Sequence, residues 1–149
     1  DAPSAVTRLL DMGVPAFLIA TSLQGVLAQR LLRRLCSECA IEEKASALDQ
    51  SVLGVAKDTL IKRPQGCRYC NGTGYRGRIG AFEWLGLDET MRETLFQSDN
   101  PSDFSSAVES SPNFKRLKFD AVSKAIAGFT TVEEVLRVTK VDAVAANEE

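Results

Sequence analysis

The 149-residue chain contains no histidine, so no imidazole is available as a metal ligand. Aromatic residues make up only 7%, against 44% hydrophobic and 26% charged residues, which are ordinary globular proportions. A chain of this length buries roughly 70% of its unfolded surface, enough for one core and a small satellite. No run is apolar enough to span a membrane. The best stretch, VPAFLIATSLQGVLAQRLL, is broken by Gln24, Gly25, Gln29 and Arg30. A basic segment followed by an apolar one, the mark of a signal peptide, is missing from DAPSAVTRLL. The expected compartment is therefore the cytosol, where disulfides are rare. No G-x-x-x-x-G-K-[ST] string, internal repeat or low-complexity tract occurs. Charge of one sign is also lacking: the net charge is −2, with 11 basic and 8 acidic side chains in residues 1–87 and 7 and 12 in the remainder. That balance points to neither nucleic acid nor a membrane surface as partner.

What is present reads mostly as helix. Pro3 to Met12 places Val6, Leu9 and Leu10 at helical spacing, with Gly13 as a stop. From Pro15 to Leu35 a stripe of Ile19, Leu23, Val26, Leu27, Leu31 and Leu35 predicts one long buried helix. Gly25 within it implies a close neighbour, and Arg30, Arg33 and Arg34 suit its C-terminus. A weak helix is expected over 45–56 and a strand or hairpin over 78–85. Further helices are expected after caps at Asp88 and Ser102, over 114–127 before Gly128, and from Thr131 to Thr139. Thr131 and Glu134 have the spacing of a capping box. Phe114, Leu117, Phe119, Val122, Ile126 and Phe129 are the expected core of the C-terminal part, and residues 142–149 are expected to be a disordered tail. The fold class is mainly α (α+β): a helical bundle with a small β-ribbon and a four-cysteine lobe. The segments fall at 1–35, 36–72 and 73–141.

The four cysteines are the sharpest signal. Cys36-x2-Cys39 and Cys67-x2-Cys70 are separated by 27 residues and account for every cysteine in the chain. Two residues between thiolates allow both to face one ion, and two such knuckles complete a tetrahedral S4 shell. The long insert only has to return the chain, at an entropic cost that grows slowly with length. Four thiolates leave no open coordination position, so the site is expected to be structural, with zinc as the metal. Two disulfides, a rubredoxin-like iron site and unliganded core cysteines are the alternatives.

Cys67 to Gly74, CRYCNGTG, has the C-x-x-C-x-G-x-G form of a single zinc repeat of DnaJ-type chaperones, but Cys36-Ser-Glu-Cys39 does not repeat it. A broader match runs along the whole chain. DAPSAVTRLLDMGV, LIATSLQGVLAQRLLRRLC, the second knuckle with TGYRGRIGAFEWL, and AIAGFTTVEEVLRVT follow one another in that order. They resemble the C-terminal part of the type II secretion and type IV pilus assembly ATPases, in which a tetracysteine lies between the second and third blocks. Ala81 and Trp84 depart from the pattern, and the insert between the knuckles is somewhat short.

The resemblance implies the C-terminal subdomain of a RecA-like motor. Its phosphate-binding loop and catalytic acids would lie upstream, so ATP and Mg2+ belong to the intact parent and this chain alone is expected to be inactive. Arg78 in the YRGR string, between Gly77 and Gly80, would lie near the adenine of ATP, where a guanidinium can stack on a purine. Lys62, Arg63, Arg68 and Arg76 share its locally positive segment; the plainer account is a cationic rim around a doubly negative metal–thiolate centre. Gln29 and Arg30 are weaker candidates for an interface with the catalytic core. Implied partners are the upstream catalytic half, neighbouring subunits of a homohexamer, and inner-membrane platform proteins, with the motor cytoplasmic and peripheral at that membrane. A stand-alone zinc adaptor for protein–protein contact is the alternative function. Nucleic-acid binding is disfavoured, with Tyr69 and Tyr75 the only aromatics near the basic residues and an isoelectric point near 5.3.

Overall fold

A computed structural model of the chain describes residues 1–98 and 100–139. Along them run α1 (Ala2–Asp11), α2 (Ala16–Ser22), β1 (Gly25–Leu35), β2 (Ile41–Lys44), α3 (Ala47–Leu53), β3 (Leu60–Arg63), β4 (Tyr75–Gly86), α4 (Glu89–Gln97), α5 (Pro101–Ser110), α6 (Leu117–Ile126) and α7 (Val132–Thr139). Among the described residues the strands form two pairs, β1 with β4 and β2 with β3. Two compact units result. One comprises Asp1–Gln29 and Phe82–Leu117, the other Arg30–Ala81 and the described residues from Lys118 to Thr139. This partition follows lines different from the segments at 1–35, 36–72 and 73–141. The expected tail, 142–149, lies outside the described residues.

The first unit is built on helix caps. Asp1 Oδ1 accepts the Ser4 N–H at 2.9 Å, Asp88 Oδ1 accepts the Met91 N–H at 3.0 Å, and Asn100 Oδ1 accepts the Ser102 N–H at 3.1 Å. Asn100 therefore caps α5, with Pro101 as its first helical residue, where Ser102 was expected to do so. Val6, Ile19, Leu85, Met91, Leu95, Phe104 and Val108 form the core. Glu83, buried at its edge, accepts the Ala2 N–H at 2.6 Å and the Leu117 N–H at 2.9 Å, one on each carboxylate oxygen.

The long helix expected over 15–35 does not form. Helix α2 ends at Ser22, Leu23 is already extended, and the apolar stretch beyond Gly25 becomes β1. Leu27 and Leu31, two members of the helical stripe, are exposed, whereas Leu32 and Leu35 are buried. A short apolar run fits either period, and pairing with β4 decides it. Gly25 does have the close neighbour its presence implied: a Cβ there would lie 2.5 Å from the Trp84 ring and 2.8 Å from the Leu85 carbonyl oxygen. The fold is thus α+β, with longer strands than a bundle carrying a small ribbon. Helix α6 starts at Leu117, the last residue of the first unit, and buries Ala121 and Ala125; Phe119, Ile126 and Phe129, expected in the core, are exposed.

The second unit carries the cysteines on an antiparallel hairpin, in which Ile41 faces Arg63 and Lys44 faces Leu60. Helix α3 sits within it, its start closed by a reciprocal capping box between Ser46 and Asp49. Asp49 is buried and takes an ion pair from Arg63, which also reaches Glu43 at 3.7 Å and Glu133 at 3.4 Å.

A second buried carboxylate holds the base of this unit. Glu134, 1% exposed, accepts the Arg33 backbone N–H at 2.7 Å and its Nε at 2.9 Å. It also accepts Nε and Nη2 of Arg137 at 3.0 and 2.7 Å. The Arg33 guanidinium lies 4.1 Å from the centre of the Tyr75 ring, and the Tyr75 hydroxyl is 3.0 Å from Thr131 Oγ1. Thr131 Oγ1 in turn accepts the Glu134 N–H at 3.4 Å. Only half of the expected capping box forms, because the Glu134 carboxylate is engaged by the two arginines. Burial alone would raise the pKa of Glu134, but hydrogen bonds from Arg137 and from the backbone and side chain of Arg33 outweigh it and hold the value at about 2.

Gly25→Ala should cost about 1–3 kcal/mol through overpacking against the Leu85 carbonyl, measured as a lowered denaturant midpoint; unchanged stability would contradict the close approach. Glu134 is depressed in the folded state from its ordinary 4.5, so its stabilisation is complete above that value and fades as pH falls toward 2. Glu134→Gln should therefore be about 3 kcal/mol less stable than the parent chain at pH 7, with the gap narrowing below pH about 4.5. A gap that does not change with pH would rule out the charge as its source.

Candidate metal centre

Each knuckle leaves a strand end. Cys36 follows directly on Leu35, whose N–H donates to the Phe129 carbonyl at 2.9 Å, and Cys39 N–H closes back on the Cys36 carbonyl at 3.4 Å. Cys67 opens a single 3-10 turn, Arg68–Cys70, after which Asn71 takes a left-handed conformation. The chain then returns through Gly74, whose φ of +76° suits a residue without a Cβ. Gly74 serves both knuckles. Its carbonyl accepts the Cys36 N–H at 2.9 Å and its own N–H donates to Cys70 Sγ at 3.1 Å.

All four cysteines are free, and their sulfurs lie within 4.8 Å of one another. Cys36 to Cys67 is 3.9 Å, Cys39 to Cys70 is 3.8 Å, and Cys67 to Cys70 is 3.8 Å. A regular tetrahedron with metal–sulfur bonds of about 2.3 Å has edges of about 3.8 Å, so the pocket fits one tetrahedrally held ion. The sulfurs are also nearly twice as far apart as the roughly 2 Å of a disulfide. The spacing of the two C-x2-C pairs thus brought together the set expected of it.

The electrostatics fit the same reading. At Cys39 burial pushes the thiol up to about 12, with neighbouring sulfurs adding to the rise and the Gly66 backbone opposing it. At Cys70 burial also acts to raise the value, but backbone N–H groups of Cys67 and Gly74 reverse it and bring the thiol down to about 6. Cys67 N–H and Gly74 N–H lie 3.2 and 3.1 Å from that sulfur. Cys70 is thus drawn toward the thiolate and Cys39 toward the thiol. A divalent cation at the centre of the cluster would let all four ionise.

Arg78 is exposed on β4, and its side chain makes no hydrogen bond or ion pair among the described residues. Two other cations of its segment are engaged. Arg63 is drawn into the carboxylates of the hairpin, and Arg68 lies 4.9 Å from the Tyr69 ring centre, donating to its hydroxyl at 3.0 Å. The Arg33–Tyr75–Thr131–Glu134 loop at the foot of the lobe was not read from the sequence. Its one visible trace is the Thr131-x-x-Glu134 spacing, which by itself predicts only a local cap.

Comparison with known proteins matches residues 1–137 to the family described as Type II/IV secretion system protein. Type II secretion system protein E of Pectobacterium carotovorum subsp. carotovorum is 42% identical over 140 residues, covering 94% of this chain and 28% of that protein. The protein of the same name from Klebsiella pneumoniae is 40% identical, with the same coverage of both chains. Type IV pilus assembly ATPase PilB of Thermus thermophilus is 36% identical over 143 residues, covering 93% of this chain and 16% of that one. The chain thus spans little more than a quarter of the length of these relatives, or less. By a match that runs through both units and across all four cysteines, the chain belongs to the type II/IV secretion system protein family.

Proposed function

We propose that this chain is the C-terminal, zinc-stapled part of a hexameric motor ATPase that powers pilus or pseudopilus assembly for protein export. The observation that carries this reading is the 36–42% identity along 93–94% of the chain to proteins named as type II secretion system protein E or type IV pilus assembly ATPase. The 149 residues hold no phosphate-binding loop string, so hydrolysis of ATP would belong to the parent protein and require the upstream half. In that parent the chain would pack on the catalytic half and on neighbouring subunits. The motor would sit on the cytoplasmic face of the inner membrane, engaged through platform proteins. No helix among the described residues is long and apolar enough to cross a membrane.

Zinc is the ion we assign to Cys36, Cys39, Cys67 and Cys70. A closed S4 shell leaves no position for water or substrate, which gives the ion a structural role. When bound, it supplies the positive charge that keeps four thiolates together. The protein positions those thiolates through Gly74 and the two knuckle turns. Small lobes with little apolar core of their own need such a staple. Helix α3 contributes only Leu53 to the buried apolar set, and β2 is exposed along its whole length.

Arg78 is assigned as the adenine contact of the intact motor, since an exposed guanidinium on a strand is free to stack on a purine.

Purified chain should contain about one zinc by plasma mass spectrometry, and a strong chelator should lower its thermal midpoint. Absence of metal, with four titratable thiols, would remove the zinc assignment. In the intact parent protein Arg78→Ala should raise KM for ATP roughly tenfold with little change in melting temperature. An unaltered KM would eliminate the adenine contact.

A further inference from the structure

Four thiolates around one ion are equivalent in formula but not in surroundings. Cys36, Cys39 and Cys70 are buried, with 0, 8 and 6% exposure, whereas Cys67 is only half-buried. The turn that follows Cys67 is open to solvent, since Arg68 and Tyr69 are both exposed. The backbone adds a second asymmetry. Cys70 Sγ accepts two N–H groups, from Cys67 and Gly74, and a thiolate that shares its charge with donors is a weaker nucleophile. Cys70 is therefore both covered and quenched, while Cys67 is the least covered of the four residues. Reactive cysteines combine thiolate character with access, and Cys67 is the one ligand of the cluster with both.

We propose that Cys67 is a modification site, the ligand at which a peroxide opens the metal lobe, and that Cys36 then closes it as a disulfide. The inference rests on reading the cluster as a zinc site, in which every sulfur is a thiolate. In the first step the Cys67 thiolate attacks one peroxide oxygen. An S–O bond forms, the O–O bond breaks, hydroxide leaves, and sulfur is oxidised by two electrons as the peroxide is reduced. In the second step the Cys36 thiolate attacks the Cys67 sulfenic sulfur. An S–S bond forms, the S–O bond breaks, and a second hydroxide leaves. Cys36 and Cys70 stand nearly equally close to Cys67, at 3.9 and 3.8 Å, so distance does not choose between them. The two N–H bonds on Cys70 do, because they withhold the electron pair that the second step needs. A Cys36–Cys67 bridge would also leave the two knuckles tied together once the ion has gone, so the hairpin between them would stay closed.

The test uses the zinc-loaded chain, its metal content measured first. Substoichiometric N-ethylmaleimide, followed by acid quench and peptide mapping, should find the label on Cys67 roughly tenfold above each other cysteine. Hydrogen peroxide should give a Cys36–Cys67 disulfide by non-reducing peptide mapping, formed in step with zinc release into a chromophoric chelator. Even labelling of the four cysteines, first labelling at Cys36, Cys39 or Cys70, or a Cys67–Cys70 bridge would overturn the inference while leaving a zinc-containing site intact. A chain that carries no zinc at the outset would overturn the zinc reading, and this inference with it.

Discussion

The carboxylate of Glu134 is the contact on which the arrangement of the cysteine lobe depends. It is fully buried, yet it is charged, and it avoids the cost of that burial by accepting four N–H groups from Arg33 and Arg137. One of the four is a backbone N–H of β1, so α7 is bound to the strand itself as well as to a side chain. Arg33 carries the linkage on to Tyr75 at the start of β4, and Tyr75 returns it to Thr131 at the start of α7. Three elements far apart in sequence are closed into one loop of polar contacts. Such a loop is cooperative, because removing either arginine leaves the buried Glu134 carboxylate under-satisfied.

The position of that loop explains why it matters for the cysteines. Arg33 lies three residues before Cys36, and Tyr75 lies five residues after Cys70. The chain enters the first knuckle and leaves the second from the two residues that stack on each other. The Gly74 backbone finishes the work, bonding to Cys36 and to the Cys70 sulfur from one residue. The sulfurs therefore meet at tetrahedral spacing because both strand ends are fixed below them, and an ion would lock a geometry that the polypeptide already approaches. The same construction leaves the four cysteines unequal, with the quenched Cys70 bonded to Gly74 and the half-buried Cys67 at the start of the 3-10 turn.

The sequence was legible where a residue type carries its meaning locally. Two C-x2-C pairs announce a cluster at any fold, Asp88 and Thr131 cap the helices that follow them, and Gly25 marks a close approach whether it sits in a helix or a strand. It was illegible where meaning depends on a distant partner. Residues 26–35 satisfy a helical period as well as an extended one, and only β4, some fifty residues on, selects the strand. Asn100 took the cap from Ser102 because Pro101 fits the first helical position and so moves the start of α5 back by two residues. Glu134 read as half of a local box because nothing in its neighbourhood reveals Arg33, a hundred residues earlier.

That last case separates two kinds of information in this chain. The cysteine cluster is coded by spacing. The loop that aims it is coded by four residues, each of which has a bland local explanation: an arginine near a strand end, a tyrosine after a glycine, a threonine before a helix and a glutamate in its first turn. A substitution at any of them would look conservative on the page and yet release one end of a knuckle. Stability of the lobe is thus shared between a staple that can be recognised and a buried ionic foundation that cannot, and the second determines how well formed the first is before any ion arrives.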